Sequence, residues 1–443
     1  MPKETAARRG TNLPRIADFN QAVILDAIRH SVDGLSRVEL ARLTGLSAQS
    51  ISNITRRLLG RELISEGQRL EPSGRGKPRT LLQLHPTGHF AIGVHIDPTI
   101  TTVVLLDLLG DVVASAESLP ASTTSPENLV DAIASQVNEL VTSQGVTASR
   151  VLGIGIAAPG PVDTKAGAVL HPPLLPGWER VELRRLLHEA TGLPVVLHKD
   201  AAASALAELW RGPRGSAGVH EDFVFFYLGT GLGAGLVING ELLGGSSDNA
   251  GEIGHLMVDA DGPVCSCGMR GCVGAACMPR TLVDEAASAG LITAPRNDND
   301  PREIDELFTQ LCDLASRAGP ESARTAAHTS VRNLDPAVSR EARARQMLEL
   351  SAARLARGAA TVANLLDVRA VIFGGPAWSR IANVFLPILQ DTLLTTTEAR
   401  QIHDVVALGS SIDDGVGAIG AGCLVLEHAF STRPSTLLLG ANS

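Results

Sequence analysis

The sequence predicts two unlike parts: a small head of three helices closed by a β-hairpin, and a larger α/β body. Between residues 18 and 59, apolar side chains recur at helical spacing in three short runs separated by turn residues. After Pro86 the pattern changes to short β-prone runs and then to strand–helix alternation. The chain has 443 residues, 44% hydrophobic and 19% charged, which excludes global disorder and allows several cores. At roughly 100 to 200 residues per domain, two to four domains are expected. Aromatic residues make up only 3%, with a single Tyr, so aliphatic packing dominates.

The head reads as follows. Residues 18 to 31 place Val23, Ile24, Ala27 and Ile28 on one helical face, and residues 37 to 44 form a short second helix. Gly45-Leu46-Ser47 is a tight turn, with Gly45 supplying positive φ and Ser47 placed as an N-cap. Residues 48 to 59 form a third helix whose Ile51, Ile54 and Leu58 face the core. Ala41, Gly45, Ile51 and Ile54 meet the steric needs of a helix-turn-helix. The third helix then exposes Gln49, Ser50, Ser52, Asn53 and Arg56 beside Ser47, short polar groups suited to base edges and phosphates in a major groove. A strand beginning near Glu62, a basic tip at Ser73 to Arg79 and a return at Leu81 to Leu84 complete a winged helix-turn-helix. Arg75, Lys77 and Arg79 suit a narrow minor groove or backbone phosphates. The competing reading is a helical bundle for protein contacts with a solvated basic loop.

In the body, Phe90 to Asp97, Thr101 to Asp107 and Val112 to Ala116 read as strands, with Gly110-Asp111 as a turn. Residues 126 to 143 form an amphipathic helix, and Val151 to Ala158 is an apolar strand running into Pro159-Gly160-Pro161. Helix is expected at Glu179 to Ala190, strand at Val195 to His198 and helix at Ala201 to Trp210. A second unit opens at Asp222 to Leu228, followed by Gly229-Thr-Gly-Leu-Gly233. That turn brings backbone amides near a phosphate or hydroxyl, or it is a plain tight hairpin.

His255 with Cys265-Ser-Cys267-Gly-Met-Arg-Gly-Cys272 supplies three thiolates and one imidazole, the donors a tetrahedral Zn²⁺ prefers. Four protein ligands close such a site to water, so the expected Zn²⁺ is structural. Free cysteines are the alternative; a disulfide suits a cytoplasmic chain less well. Glu252, just before His255, is an acceptor for vicinal hydroxyls, and a metal-bound His255 would hold a fixed tautomer for a ligand hydroxyl.

The start, MPKETAARRGTNLPR, leads to no apolar h-region, and no run reaches the roughly 18 apolar residues of a membrane span. A cytoplasmic protein with reduced thiols and no membrane partner is expected. The 38 basic and 47 acidic residues give a net charge of −9, which argues against a chain built to coat nucleic acid. Yet residues 1–89 hold 14 Lys or Arg against 8 Asp or Glu, and the rest hold 24 against 39. The average conceals a basic head of +6 on an acidic body of −15.

The order of a winged helix, a degenerate Asp-x-Gly-Gly-Thr turn, Lys199-Asp200, Gly229-Thr-Gly231, Glu252-Ile-Gly-His255 and Cys-x-Cys-Gly-x-x-Gly-Cys resembles the ROK family of repressors and sugar kinases. The likeness is to its regulators with an N-terminal DNA-binding domain. It implies an α/β actin-like ATPase (sugar kinase-like) fold of two lobes with a sugar cleft between them. It also implies a homodimer or homotetramer and sugar-controlled binding to operator DNA. Carried onto matching positions, Asp200, Glu252 and His255 contact the sugar, with Lys199 beside them, and His255, Cys265, Cys267 and Cys272 bind zinc. The implied organisation is a flexible stretch 1–17, the head 18–86, a first lobe 87–198, a second lobe 199–414 and a tail 431–443. A helix at about 415–430 is expected to pack back on the first lobe.

The chain departs from the kinase pattern. The turn that would grip phosphate reads His95-Ile96-Asp97-Pro98-Thr99-Ile100: His95 replaces the metal-handling Asp, Asp97 and Pro98 replace the two glycines, and Ile100 the Lys. An anionic side chain repels a triphosphate, and Pro has no N–H to offer it. A non-enzymatic, kinase-like body is therefore expected. The family's Asn before the Asp is Lys199, and its Glu after the last cysteine is Gly274. Lys199 either pairs with Asp200 or accepts an anionic ligand such as a phosphorylated or acidic sugar; otherwise the cleft takes no sugar.

Overall fold

The computed structural model describes residues 13–70, 78–118, 120–212, 222–297, 300–318, 338–412 and 415–430. Arg75 and Lys77 of the expected wing tip lie outside them, as do residues 1–12 and the tail 431–443.

Three helices, α1 (Leu13–Arg29), α2 (Arg37–Thr44) and α3 (Ala48–Gly60), open the chain. α1 starts five residues before the expected position, inside the stretch expected to be flexible, and it buries Ala22, Ile24, Leu25 and Ile28 rather than Val23. The α2 and α3 boundaries follow from their caps. Ser36 and Glu39 form a reciprocal capping box, Gly45 ends α2 at φ 68°, and the Ser47 side chain accepts from Ser50 N–H. The short β1 (Leu35–Ser36), β2 (Ile64–Leu70) and β3 (Arg79–Leu84) form an antiparallel sheet in the order β1-β3-β2.

The first large sheet holds β4 (Phe90–Ile96), β5 (Thr101–Leu106), β6 (Val112–Ser118), β7 (Val151–Ala158) and β11 (Val195–Lys199), in the order β11-β7-β4-β5-β6. Between β6 and β7 runs α4 (Pro126–Ser143), capped by Ser125. Between β7 and β11 lie β8 (Val162–Asp163), β9 (Ala168–Leu170), β10 (Arg180–Val181) and α5 (Leu183–Thr191). The helix expected from Glu179 starts later because Arg180 and Val181 pair instead with Leu170 and Val169. Tertiary pairing overrides helical periodicity at this point.

α6 (Asp200–Arg211) follows β11 without a break. The second sheet contains β12 (Phe223–Leu228), β13 (Leu232–Ile238), β14 (Glu241–Leu242), β15 (Ala370–Gly374) and β16 (Val406–Gly409), in the order β14-β13-β12-β15-β16. The Gly229–Gly231 segment is a tight hairpin joining β12 to antiparallel β13. Helices α7 (Val273–Cys277), α8 (Pro279–Ser288), α9 (Pro301–Ser316), α10 (Arg340–Leu366) and α11 (Trp378–Thr396) complete this side.

α12 (Val416–Phe430) packs back on the first sheet and against α6. Small residues permit that crossing. A Cβ on Gly420 would run into the Ala203 carbonyl, and one on Gly93 into the Ala418 carbonyl. The head's core is continuous with that of the body. Ile24, Ile28, Leu40, Ile51 and Leu58 belong to one buried cluster with Ala91, Trp210, Phe225 and Val416.

Candidate ligand cleft and metal centre

In open α/β sheets, ligands collect outside the carboxyl ends of the parallel strands. Here β4 carries His95 near its end and is followed by Asp97, β7 runs on into Pro159-Gly160, and β11 ends in Lys199, with Asp200 opening α6. From the other sheet, β12 contributes Tyr227 at its carboxyl end.

Lys199 is buried and donates to Glu252 Oε1 at 2.6 Å. Pairing with Asp200, one of the sequence alternatives, does not occur: within 4 Å among the described residues, the lysine has Glu252 as its ion-pair partner. Asp200 turns its Oδ1 to the Ala201 N–H at 2.6 Å. Burial pushes the Asp200 carboxyl above its ordinary range, against the pull of His95, the Ala201 amide and Lys199. The Tyr227 hydroxyl and His95 Nε2 lie 3.2 Å apart, a link between the two sheets. Burial drives the Tyr227 phenol well above its usual value, with Asp97 and Asp200 adding to the rise.

The turn after β4 is closed on itself. Asp97 Oδ1 accepts from Thr99 N–H at 2.8 Å and from Thr99 Oγ1 at 2.6 Å, and the Pro98 carbonyl accepts from Ser122 Oγ at 2.5 Å. Gly274 packs on the backbone of Gly254, where an added Cβ would lie 2.9 Å from the carbonyl oxygen. Nearby, a cavity of about 460 Å³ is lined by Pro173, Leu174, Gly229, Thr230, Arg280 and Asp305; Gly229 and Thr230 belong to the turn read from sequence as able to meet a phosphate or hydroxyl, and the other four were not singled out.

Glu252 stands at the N-terminus of a short 3₁₀ turn, Ile253–His255, that leads to the cysteine loop. The loop doubles back through positive-φ Gly268 and Gly271, and bridges pair Met257 with Cys272 and Val264 with Arg270. The donor atoms of His255, Cys265, Cys267 and Cys272 all fall within 4.8 Å of one another. His255 Nδ1 is 3.4 Å from Cys265 Sγ, and the Cys267 and Cys272 sulfurs are 3.7 Å apart. Backbone donation from Cys267 pulls the Cys265 thiol down to about 6, whereas burial pushes Cys272 up to about 12. One nitrogen and three sulfurs converging in this way match the donor set and ligand count of a closed tetrahedral metal site. Cys277, Cys312 and Cys423 are buried elsewhere and take no part.

On α3, Gln49, Asn53 and Arg56 are exposed and Ser50 and Ser52 half-buried. Gln49 donates to Asn53 Oδ1 at 3.4 Å, so the two amides lie one turn apart on the same face. Arg79 is exposed at the start of β3, and Arg57, not selected from sequence, is exposed beside Arg56.

The model of the ROK family matches residues 91–428. The chain belongs to the ROK family. Over 404 residues it is 26% identical to the xylose repressor of Caldicellulosiruptor bescii, covering 90% of this chain and 93% of that protein. Over 388 residues it is 26% identical to the DNA-binding transcriptional repressor Mlc of Escherichia coli, covering 86% and 87%. The crystal structure of a ROK family transcriptional regulator, a homologue of the Mlc protein of Escherichia coli, superposes with a TM-score of 0.72 at 22% identity, covering 96% of this chain and all of that one. That structural likeness supports the ROK fold, and both repressors align well beyond the part that the family model matches.

Proposed function

We propose that this ROK chain is a sequence-specific DNA-binding transcriptional regulator, a repressor of carbohydrate-metabolism genes that responds to a sugar or sugar derivative between its lobes. The observation that carries the reading is the head: a capped helix after a tight glycine turn, presenting Gln49, Asn53 and Arg56 to solvent. Relatives named as repressors align along both head and body. The head is read as a winged helix-turn-helix, with α3 in the major groove and the wing, including Arg79, on the backbone.

The body is read as a sensor rather than a kinase. A phosphate needs free backbone amides, and the turn at Asp97 to Thr99 spends its amide and carboxylate internally while Pro98 has no N–H. His255, Cys265, Cys267 and Cys272 would hold Zn²⁺, which fixes the loop carrying His255 and supplies no chemistry beyond that. Asp200, Glu252 and His255 would face the ligand's hydroxyls.

The route from cleft to head is α6. It begins at Asp200, and its buried Glu208 accepts from Ser411 N–H and Oγ, both at 2.9 Å, which ties the helix to the second sheet. Its last turn carries Trp210, whose indole lies under the Arg29 guanidinium of α1 at 4.2 Å. The head joins the first sheet through the chain and through Arg150, whose guanidinium pairs with the Glu62 carboxylate at 3.7 Å. Lobe closure would therefore move α6 against a head anchored elsewhere. A tenfold change in operator occupancy needs about 1.4 kcal/mol of discrimination between open and closed forms.

A footprint of the zinc-loaded chain on its own promoter region tests the reading. Protection of a pseudo-palindrome, with half-sites about 34 Å or a multiple apart, is expected of a dimer. Absence of sequence-selective protection at moderate salt defeats it. A coupled assay with hexoses and Mg-ATP should give no turnover; turnover abolished by Asp200→Asn would make the protein a kinase instead.

A further inference from the structure

The Lys199–Glu252 pair says more about the ligand, on the reading of the cleft as a carbohydrate site. Its two members are unequally placed: the lysine side chain is 4% exposed and the glutamate side chain 56%. Lys199 is held at the end of β11 in register with Ala158. Its stem runs beside Gly160, where an added Cβ would meet Cε at 3.1 Å, Cδ at 3.4 Å and Glu252 Oε1 at 3.5 Å. The ammonium is thus fixed and desolvated. Glu252 is half in water already, so its carboxylate is readily solvated once another anion pairs with the lysine.

This asymmetry sorts ligands by charge. Removing the anion from a buried pair leaves an uncompensated cation, which is strongly unfavourable. Asp200 is no ready substitute, because its carboxylate is turned to the Ala201 amide. A neutral polyol must either bind around an intact pair, losing Lys199 as a partner, or split it and strand the lysine. A ligand with its own anionic group can take the place of Glu252 and leave the buried cation paired throughout. The ammonium offers three donors and no acceptor, which fits a carboxylate or phosphate oxygen. Asp200 opposes such a ligand less than its formal charge implies, since burial favours its neutral form.

We propose that Lys199 is the specificity-determining residue of the cleft, and that the effector is a carbohydrate bearing one carboxylate or phosphate that replaces Glu252 on the Lys199 ammonium. The freed Glu252 then accepts hydroxyls of the same ligand. Matched probes test this by calorimetry and thermal shift on the full zinc-loaded chain: glucuronate against glucose, galacturonate against galactose, then gluconate and glucose 6-phosphate. At least one acid should bind tenfold or more tightly than its neutral counterpart. The 6-phosphate arm separates phosphate from carboxylate recognition. Lys199→Asn should abolish the preference and Lys199→Arg should keep much of it. If Lys199→Asn does not fold, the wild-type pairs still decide.

Equal or tighter binding of the neutral sugars overturns the proposal and leaves the carbohydrate reading standing. An acid preference that survives intact in folded Lys199→Asn overturns it too. So does binding of acetate or inorganic phosphate as tight as that of the sugar acids. No binding by any sugar removes both this proposal and the reading beneath it.

Discussion

At the residue scale, the metal centre makes the sharpest prediction. Asp259 in its loop pairs with buried Arg354 of α10 at 2.8 Å, and Arg357 donates to the Val258 carbonyl at 2.8 Å. The loop is therefore tied to the second side of the body and lies far in sequence from α3. Cys272→Ser should reduce bound zinc from about one per chain to a small fraction by elemental analysis, since a structural site needs all four ligands. The ligand-induced rise in melting temperature should be lost while operator affinity is nearly unchanged. Equal loss of DNA binding and ligand response would mean that the metal holds the whole fold, not the sensor. The convergence of these four side chains was legible in the sequence because they are local, spread over eighteen positions with glycines where the loop must reverse. The partner of Lys199 was not legible. Glu252 lies 53 residues away, and only the approach of the two lobes at Gly160 decides between it and the adjacent Asp200.

At the element scale, the same contrast recurs. α2, α3 and α4 were readable almost to the residue, because Ser36, Ser47 and Ser125 cap their first turns and Gly45 ends α2 in the left-handed region. The small sheet of β8, β9 and β10 was not, since two- and three-residue strands carry no periodicity. Nor did helical spacing reveal that α6 ends under the head. Arg29 is fixed over Trp210 by Asp26 at 2.9 Å. Burial works to raise the Asp26 carboxyl, but His30 and Arg29 outweigh it and hold it at about 2 against an ordinary 3.8. A depressed folded-state pKa gives a contribution that is full above 3.8 and fades as pH falls toward about 2, so the clamp is intact at neutral pH. Arg29→Ala removes a cation–π contact of about 0.5–2 kcal/mol without excavating the core. The ligand should still raise the melting temperature, but its effect on operator affinity should shrink severalfold in paired titrations. An unchanged ratio of affinities with and without ligand would exclude α6 as the route.

At the scale of the whole molecule, charge is divided between parts that the net value of −9 averages together. The body at −15 repels a phosphate backbone, so binding must come through the head at +6 and should depend steeply on salt. The two-lobed body itself was legible through family resemblance more than through physics, whereas the basic head followed from counting alone. The continuity of the head's core with Trp210 and Val416 was not foreseen, since it joins residues far apart in sequence. On the proposed reading of α3, variants at Arg56 and Gln49 would separate the two components of DNA recognition. If Arg56 meets a phosphate, Arg56→Ala should weaken specific and random DNA alike and lower the slope of log K against log salt by about 0.9. If Gln49 reads a base edge, Gln49→Ala should leave that slope unchanged and relax preference at one position of each half-site. Fluorescence anisotropy across a salt series, with operator and scrambled duplexes, measures both. Identical losses on the two duplexes for both variants would take α3 out of the groove and return its polar face to solvent.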